Sequence, residues 1–484
     1  MHKRVTLYYI AQVLLICSLF MATSLIWTIN ENPSKTYRLS FIIPIFLAWL
    51  ISIPIILCLK RKKETFRYIS VKDGIGIVGM SWIIISLWGA IPFLLSHSVN
   101  NYTDAVFETV SGFTTTGASI FSDVESLSRG ILFWRSLTHW LGGLGIIVLF
   151  VALIPNVSTT SFALCSLETT GIGSDKAKPR IKDTAIVLWK IYVLLTIASV
   201  AILVYLGMPL FDSICHAFGA IATGGYSTKN ASIGAYGANI QWAITVIMIL
   251  GGINFSLHYF LVKGNFGKVF KDEEFKWYFV LLAVCSLLIA VILKNSSITL
   301  SPLRDSIFQV VSLMTATGYA TTDFNIWPQS TKGIILFIMF IGGCAGSTSG
   351  GLKVSRFLLI IKQVFRSIVK MIYPNSIQPI RFNAATLSEK IVLSVMAYFV
   401  IYLGLWCFGS LILLATESCG IITAISASIS ALSSVGPGLD AVGPTQNYAW
   451  MTMWGKWTLI FLMLAGRLEV YAFVCLFLPV TWKK

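Results

Sequence analysis

The segment Asp104-Ala-Val-Phe-Glu-Thr-Val-Ser-Gly-Phe-Thr-Thr-Thr-Gly117 decides the fold of this chain, because related segments follow it three more times. The versions from Asp212 to Gly225 and from Asp305 to Gly318 also place the aspartate 13 residues before the glycine. A fourth version ends at Gly436 and has Thr423 at the aspartate position. The recurrence indicates four copies of one structural unit, with a period of about 100 residues.

The composition places these copies in a membrane. Of the 484 residues, 56% are hydrophobic and 12% are charged, whereas soluble proteins have roughly 45–50% and about 25%. Apolar runs of about 20 residues, long enough to cross a bilayer, recur from end to end. They predict ten spans, at residues 5–27, 39–59, 74–96, 130–154, 184–206, 240–262, 277–293, 333–361 (interrupted), 390–415 and 457–480.

The net charge of +16 is explained by orientation and does not call for a nucleic-acid partner. If the N-terminus is cytoplasmic, 26 of the 36 Lys and Arg residues lie in the inner segments, as expected for a membrane protein. Both termini are then predicted to be cytoplasmic, and the four repeated segments lie on the outer side of the lipid bilayer.

Each copy is predicted to contain an outer helix, a short re-entrant helix, a strand of Thr, Ser and Gly, and an inner helix. The fold class is therefore an all-α polytopic membrane protein, in which four pseudo-symmetric repeats surround one pore and two transmembrane helices precede them. The predicted divisions are 1–68 for the two leading helices, 69–163, 164–265 and 266–388 for the first three repeats, and 389–484 for the fourth.

The Thr/Ser/Gly strands predict a path for cations. Irregular backbone at membrane depth is tolerated only where it is buried in protein or lines a water-filled path. Glycine allows successive carbonyl oxygens to point the same way, and rings of such oxygens replace the hydration shell of a monovalent cation. The predicted ion-binding residues are Thr115, Thr116 and Gly117; Thr223, Gly224 and Gly225; Ala316, Thr317 and Gly318; and Ser434, Val435 and Gly436.

A single Thr-x-Gly sequence is as consistent with a turn or with helix packing, since small residues mediate ordinary helix contacts in membranes. Four instances favour the pore. The polar residues Glu108, His216 and Gln309 lie four positions after each aspartate and are expected to fix the short helices through hydrogen bonds. Lys456, near the outer end of the last span, is expected to reach the membrane interface.

Together these motifs resemble the Trk/Ktr/HKT superfamily of potassium transporters. The resemblance covers about residues 69–484, and the two additional N-terminal helices make the chain similar to the TrkH-like pore-forming subunits. It implies potassium ion as the transported species, a homodimer with one pore in each subunit, and a cytosolic TrkA-like nucleotide-binding regulator. In plant relatives a serine at the first filter glycine accompanies sodium transport, so glycine at all four positions favours potassium.

The third inner helix is interrupted by Ile341-Gly-Gly-Cys-Ala-Gly-Ser-Thr-Ser-Gly-Gly-Leu352, which has little propensity for a regular helix. One interpretation is a packing face of small residues. The other is a flexible loop beneath the filter that obstructs permeation, and the resemblance supports it because family members carry a gating loop here. The predicted gating residues in this loop are Gly343, Cys344, Ala345, Gly346, Ser347, Thr348, Ser349 and Gly350.

Arg467 lies well inside the last predicted span, where a charge normally faces a cavity or a partner. An ion pair, for instance with Glu469, would only join helices. Alternatively, Arg467 is a fixed positive charge below the filter that stabilises the closed state, a role that the resemblance implies for an arginine here. The basic run from Lys353 to Lys370 lies along the inner membrane surface or receives the regulator; the sequence does not separate these.

Enzymatic function is not expected, because the sequence has no His-Glu-x-x-His motif, no phosphate-binding Walker loop and no Asp-Lys-Thr-Gly-Thr stretch. No nucleotide is expected to bind to this chain itself. The second functional hypothesis is a potassium symporter coupled to H⁺ or Na⁺. Such transporters are commonly built from inverted repeats. The repeats here are parallel, which favours a channel-like pore but leaves coupling open.

Overall fold

The computed structural model describes residues 3–30, 35–60, 71–152, 181–383 and 385–482, and these residues are overwhelmingly helical. The chain begins with helices Lys3–Ala22, Ser24–Asn30 and Lys35–Lys60. The first and third of these pack on each other, and the indole of Trp49 donates to the hydroxyl of Ser18 at 3.0 Å. Trp88 donates to the carbonyl oxygen of Pro44 at 2.9 Å and so attaches the leading helices to the rest of the molecule.

Four long outer helices are each followed by a short buried helix, which we call short helices 1 to 4. The outer helices are Val71–Gly89 continued by Ile91–Leu95, Ile181–Tyr205, Glu273–Ser296 and Glu389–Thr416. The short helices are Tyr102–Phe113, Leu210–Ile221, Pro302–Met314 and Ile421–Ser433. Asp104, Asp212 and Asp305 each lie in the first turn of a short helix, where a carboxylate faces the positive end of the helix dipole.

Four inner helices follow the short helices, and three of them are broken. The first is Arg129–Ala152, and the second consists of Ala238–Gly252 and Phe255–Val262, bent by 102°. The third comprises Gln329–Ile341 and Val354–Ile372, and the fourth comprises Met453–Arg467 and Val470–Phe477. The sequence predicted only the third break. The second follows from Asn254, whose side chain accepts from the backbone N–H of Ser256 and starts a new helix.

Fewer helices than the ten predicted spans qualify, within the described residues, as crossing a membrane unaided. Within the described part of the chain, six qualify by length and apolarity, or seven if the bent second inner helix counts as one. The six are Lys3–Ile29, Thr36–Leu59, Lys72–Leu95, Ile186–Tyr205, Glu273–Ser296 and Glu389–Thr416. The chain is thus a multi-pass membrane protein with shorter, interrupted helices inside it.

The remaining elements are short. Residues Arg381–Phe382 and Ala385–Thr386 pair as antiparallel two-residue strands, with Arg381 opposite Thr386. We call residues 381–386 the hairpin; it is a small departure from the expected all-α fold. The described elements also include three 3-10 turns and two helices of four to six residues. The turns are Ser232–Ala235, Phe324–Ile326 and Asp440–Val442, and the helices are Phe266–Lys271 and Pro479–Trp482. The predicted divisions after residues 68 and 163 lie outside the described residues.

Candidate functional site

The chain takes up the same backbone conformation after each short helix. The first residue of each predicted filter has a left-handed backbone, with φ of 54° at Thr115, 52° at Thr223, 57° at Ala316 and 56° at Ser434. Two residues later the glycine is also left-handed, with φ of 79° at Gly117, 85° at Gly225, 82° at Gly318 and 99° at Gly436. Non-glycine residues rarely adopt positive φ, and such strain collects at functional sites.

Equivalent hydrogen bonds hold these strained segments against their own short helices. The residue between the two left-handed positions donates its backbone N–H to a carbonyl oxygen five residues earlier in all four copies. These bonds are Thr116 to Ser111 at 2.9 Å, Gly224 to Gly219 at 2.7 Å, Thr317 to Ser312 at 2.8 Å and Val435 to Ser430 at 2.9 Å. The four sequences, which share few side chains, therefore fold locally in the same way.

The four segments meet in a closed ring, which we call the filter ring. At each filter glycine a Cβ atom would overlap a backbone carbonyl oxygen of the neighbouring copy, so only glycine permits the approach. The contacts run from Gly117 to Gly224, from Gly225 to Thr317, from Gly318 to Val435, and from Gly436 back to Thr116. The structure thus brings all four predicted filter segments together around one axis.

The small residues of the inner helices lie beneath the ends of the short helices. A Cβ on Gly142 would overlap the carbonyl oxygen of Phe113, and one on Gly466 would overlap that of Leu432. A Cβ on Gly251 would lie 3.0 Å from the carbonyl oxygen of Ile221. The last carbonyl groups of the short helices, the negative ends of their dipoles, are thereby held at the filter ring.

Polar side chains fix the outward-running chain after each filter. Glu108 accepts from the backbone N–H of Ile120 at 3.0 Å, and His216 Nε2 lies 2.9 Å from the hydroxyl of Ser227. Gln309 donates to the carbonyl oxygen of Thr322 at 3.3 Å. These are the hydrogen bonds expected from the sequence. The fourth copy, with alanine at this position, uses Ser426, which accepts from the backbone N–H of Leu439 at 2.9 Å.

A buried ion pair within the first copy includes an arginine that also contacts the second copy. Arg135 and Glu108 are 2.7 Å apart, and both side chains are almost fully buried. Arg135 also lies over the ring of Tyr226, 4.0 Å from its centroid, and donates to the carbonyl oxygen of Ser227 at 3.3 Å. Its charge is therefore shared between the carboxylate, an aromatic face and the segment that follows the second filter.

Three further side chains connect neighbouring filters. Tyr226 donates to the carbonyl oxygen of Glu108 at 2.7 Å, and Tyr319 makes the equivalent bond to His216 at 3.2 Å. His139 is a neutral imidazole here, because Nε2 accepts from the backbone N–H of Tyr226 at 3.1 Å and Nδ1 donates to Gly112 at 2.7 Å. The contacts of these side chains with a neighbouring copy could not be predicted, since their partners lie 87 to 118 positions away.

The interruption at residues 342–353, which we call the inner loop, lies directly under the filter ring. The hydroxyl of Thr348 donates to the carbonyl oxygens of Ile221 at 2.9 Å and Gly251 at 3.1 Å, and Ser349 donates to that of Thr315 at 2.6 Å. Gly350 packs against the carbonyl oxygen of Ser433. The inner loop therefore contacts the last turns of short helices 2, 3 and 4.

Two backbone bonds attach the inner loop to the broken second inner helix. Cys344 donates to the carbonyl oxygen of Gly252 at 3.0 Å, and Thr348 donates to that of Gly251 at 3.4 Å. The break after Gly252 leaves these carbonyl groups without helical partners, so they are free to accept. Gly346 in turn accepts from the backbone N–H of Phe255, the first residue after the break, at 3.0 Å.

Arg467 completes the underside of the filter ring. It is 3% exposed, and its guanidinium donates to the carbonyl oxygen of Thr348 at 2.6 Å and to that of Gly142 at 3.1 Å. Its Nε has no hydrogen-bond partner among the described residues. The ion pair with Glu469 considered for Arg467 is not the one that forms, because the carboxylate of Glu469 lies 2.9 Å from Arg356.

The basic run 353–370 has two environments. Lys353 and Arg356 are buried, and Lys353 donates to the carbonyl oxygen of Ser349 within the inner loop. Further along, Lys362 pairs with Glu273, and Arg366 lies 2.7 Å from Glu389. The first two bases therefore belong to the region beneath the filter ring and not to a membrane surface.

The sequence predicted that Lys456 extends to the membrane interface, but its side chain is buried within the molecule. Its ammonium lies 2.6 Å from the carboxylate of Asp104 and 3.1 Å from the carbonyl oxygen of Ala449. This pair joins the fourth inner helix to the first short helix and closes the ring of copies near their outer ends. The side chains are 352 positions apart, so spacing alone gave no indication of the contact.

A multi-pass helical bundle around a ring of strained, carbonyl-lined segments defines a membrane transport protein and not an enzyme. The family model described as "TrkH: Cation transport protein" matches residues 41–483. The chain belongs to this family, as the sequence resemblance predicted.

Individual relatives agree with the family assignment. The Trk system potassium uptake protein TrkH of Salmonella typhimurium is 39% identical over 423 residues, which cover 85% of this chain and 86% of the relative. The Trk system potassium uptake protein TrkI of Halomonas elongata is 31% identical over 480 residues, 97% and 95% of the two chains. The crystal structure of the potassium transporter TrkH from Vibrio parahaemolyticus superimposes with a TM-score of 0.88 at 32% identity, covering 100% of both chains.

Proposed function

We propose that this chain takes up potassium ions through the filter ring. The observation that carries the proposal is the closed ring of four left-handed backbone segments, in which each filter glycine touches a carbonyl oxygen of the next copy. The proposed ion-binding residues are the twelve predicted from the sequence. Rings of carbonyl oxygens replace the hydration shell of a monovalent cation without a charged side chain.

The side chains at the inner end of the filter ring support the same proposal. The hydroxyl groups of Thr115 and Ser434 are buried and have no hydrogen-bond partner among the described residues. Buried hydroxyl groups are normally satisfied, so these oxygens suit a cation or its water. Glycine at all four filter positions, together with the potassium uptake for which the relatives are named, favours K⁺ as the substrate.

We further propose that the inner loop and Arg467 gate this path. The loop contacts three of the four short-helix ends, and Arg467 fills the remaining side while donating to the loop backbone. A positive charge beneath the filter opposes the entry of cations. Opening then requires the hydrogen bonds of Thr348 and Ser349 to break together with that of Arg467.

The assembly and location are part of the same proposal. We infer four pseudo-symmetric pore repeats with the divisions given above, a homodimer, and a cytosolic TrkA-like nucleotide-binding regulator. The membrane is the inner membrane of a bacterium, with both termini in the cytoplasm. The positive-inside distribution of Lys and Arg supports the orientation, and the Trk system named for the relatives supports a multi-component assembly.

Cation flux from proteoliposomes that contain only this chain tests the transport proposal. We expect uptake of K⁺ and Rb⁺ to exceed that of Na⁺, and equal rates for Na⁺ and K⁺ would contradict the substrate assignment. Imposed proton and sodium gradients separate the two mechanisms. Flux that does not change with either gradient supports a channel-like pore, whereas flux driven by either gradient establishes the coupled symporter.

A further inference from the structure

A single buried carboxyl group joins the inner loop to the outer helix Glu273–Ser296. Glu274 lies in the first turn of the outer helix Glu273–Ser296 and is 5% exposed. Its Oε1 accepts the backbone N–H of Ala345 at 2.7 Å and the backbone N–H of Ser355 at 2.9 Å. One oxygen atom thus ties a residue inside the loop to a residue just beyond its end.

Both bonds end on the same oxygen of a buried carboxyl group. Hydrogen bonds to an ionised acceptor are roughly twice as strong as neutral ones. Ser355 lies in the first turn of the helix Val354–Ile372, so its N–H has no partner within that helix and lies at the positive end of the helix dipole. A carboxyl oxygen from another helix therefore accepts a hydrogen bond at the start of the helix that the inner loop leads into.

The inner loop depends on such an external anchor. Its residues are mainly glycine and serine, which lose much conformational freedom when they are fixed in place. The side chains of Ser347 and Lys353 bond back to the loop itself, to Cys344 and Ser349. On the side away from the filter ring, among the described residues, Glu274 provides the charged contact with the loop backbone at Ala345.

The two residues before Glu274 connect the same helix start to the hairpin. Asn383, in the hairpin, accepts from the backbone N–H of Glu273 at 2.7 Å and donates to the carboxylate of Asp272 at 2.7 Å. Lys362 bridges the carboxylate of Glu273 and the carbonyl oxygen of Arg381, the latter at 2.8 Å. The hairpin, the helix after the loop and the loop itself therefore converge on residues 272–274.

We propose that Glu274 is the positioning residue that holds the inner loop across the filter ring, and that the hairpin transmits movement to the loop through residues 272–274. The inference rests on the proposed gating of cation flux. It adds the site through which a force applied to the hairpin reaches the loop. Movement of Asn383 would shift the first turn of the helix that carries Glu274, and the hydrogen bond between Glu274 and Ala345 would break.

The test measures Rb⁺ flux from proteoliposomes for Glu274→Ala, Glu274→Gln and Asn383→Ala. Loss of two buried hydrogen bonds shifts a two-state equilibrium by about tenfold or more. We expect Glu274→Ala to raise flux by about this factor, and Glu274→Gln, which keeps an accepting oxygen but no charge, to fall between it and the unaltered chain. Asn383→Ala should raise flux by a smaller amount. Glu389→Gln is the control, since Glu389 also begins an outer helix but is exposed.

Each substitution is repeated in a chain that lacks residues 345–350. If Glu274 acts through the inner loop, Glu274→Gln changes nothing further in this shortened chain. An equal effect in both chains would mean that the side chain only supports the fold, and the proposal would be wrong. It would also be wrong if both Glu274 variants fail to assemble while Glu389→Gln assembles, or if they assemble and conduct like the unaltered chain. Unchanged flux in Asn383→Ala overturns the part assigned to the hairpin.

The same set of measurements separates this inference from the proposed function. If neither the unaltered chain nor the shortened chain passes cations, the proposed transport fails. If the shortened chain conducts faster than the unaltered one and the Glu274 variants match the unaltered chain, transport and gating stand and only the role of Glu274 fails.

Discussion

The guanidinium of Arg467 lies 2.6 Å from the carbonyl oxygen of Thr348, so the buried charge of the last inner helix is bonded to the backbone of the inner loop. A second bond, 3.1 Å long, reaches Gly142 in the first inner helix. The arginine therefore spans the underside of the filter ring from the fourth copy to the first and third. This placement combines both interpretations of Arg467, because the residue connects elements and also places a charge below the ring.

Replacing Arg467 with alanine is expected to raise cation flux. The change removes the charge that opposes cations and the bond that holds Thr348 in place, so the closed arrangement loses two contributions at once. Flux of Rb⁺ from proteoliposomes measures the effect. The flux of Arg467→Lys should lie between that of Arg467→Ala and that of the unaltered chain, since lysine keeps the charge but lacks the two separate donor nitrogens of the guanidinium. If Arg467→Ala only abolishes expression, and Arg467→Lys conducts normally, Arg467 serves to join helices.

Deleting residues 345–350 is expected to increase flux more than any single substitution in the inner loop. The deletion removes the hydroxyl groups of Thr348 and Ser349 that bond to the ends of short helices 2 and 3. Thr348→Val, which keeps the size of the side chain but loses the hydroxyl, should give a smaller increase in the same flux assay. Unchanged or reduced flux in a deletion variant that elutes and melts like the unaltered protein would contradict gating by this loop.

The sequence was sufficient to predict the local units of this fold but not the contacts between them. The 13-residue spacing located the four short helices and filters because it depends on residues close together in the chain. The break at residues 342–353 was also predictable, since glycine and serine disfavour a helix locally. By contrast, the sequence around Asn254 and Glu469 contains no comparable cluster of glycine and serine, so the other two breaks were not predicted.

The long-range pairs explain most of what the sequence did not reveal. Lys456 was expected at the interface because it lies near the outer end of the last predicted span, yet it pairs with Asp104. An ion pair between Arg467 and Glu469 was one of two interpretations of Arg467, whereas the fold pairs that carboxylate with Arg356. Closing four copies into a ring brings the last helix against the first, and this creates partners that spacing along the chain cannot indicate.

Alanine at a filter glycine is expected to lower flux and selectivity sharply. Gly225 has φ of 85°, and an added Cβ would overlap the carbonyl oxygen of Thr317 in the next copy. Positive φ costs an L-residue about 1–2 kcal/mol, so Gly225→Ala should reduce K⁺ flux by roughly tenfold or more. Gly333→Ala is the matched control, because Gly333 is helical and has open space at its Cβ position. Equal flux from the two variants would contradict the filter assignment.

Breaking the buried pair between Arg135 and Glu108 is expected to destabilise the protein far more than breaking an exposed pair. Removal of one partner leaves an uncompensated buried charge, which lowers the free energy of unfolding by about 3–5 kcal/mol. Glu108→Gln and Arg135→Met should therefore each lower the melting temperature in detergent. Lys229→Gln, which breaks an exposed pair with Glu125, should change stability by less than about 1 kcal/mol.

The double variant tests whether the two side chains act as a pair. In Glu108→Gln with Arg135→Met no unpaired charge remains, so its loss of stability should be clearly smaller than the sum of the two single losses. Strict additivity of the melting shifts would show that each side chain is held by its other contacts, Arg135 by Tyr226 and Glu108 by the backbone of Ile120. In that case the ion pair would not be what holds Arg135 in place against the second copy.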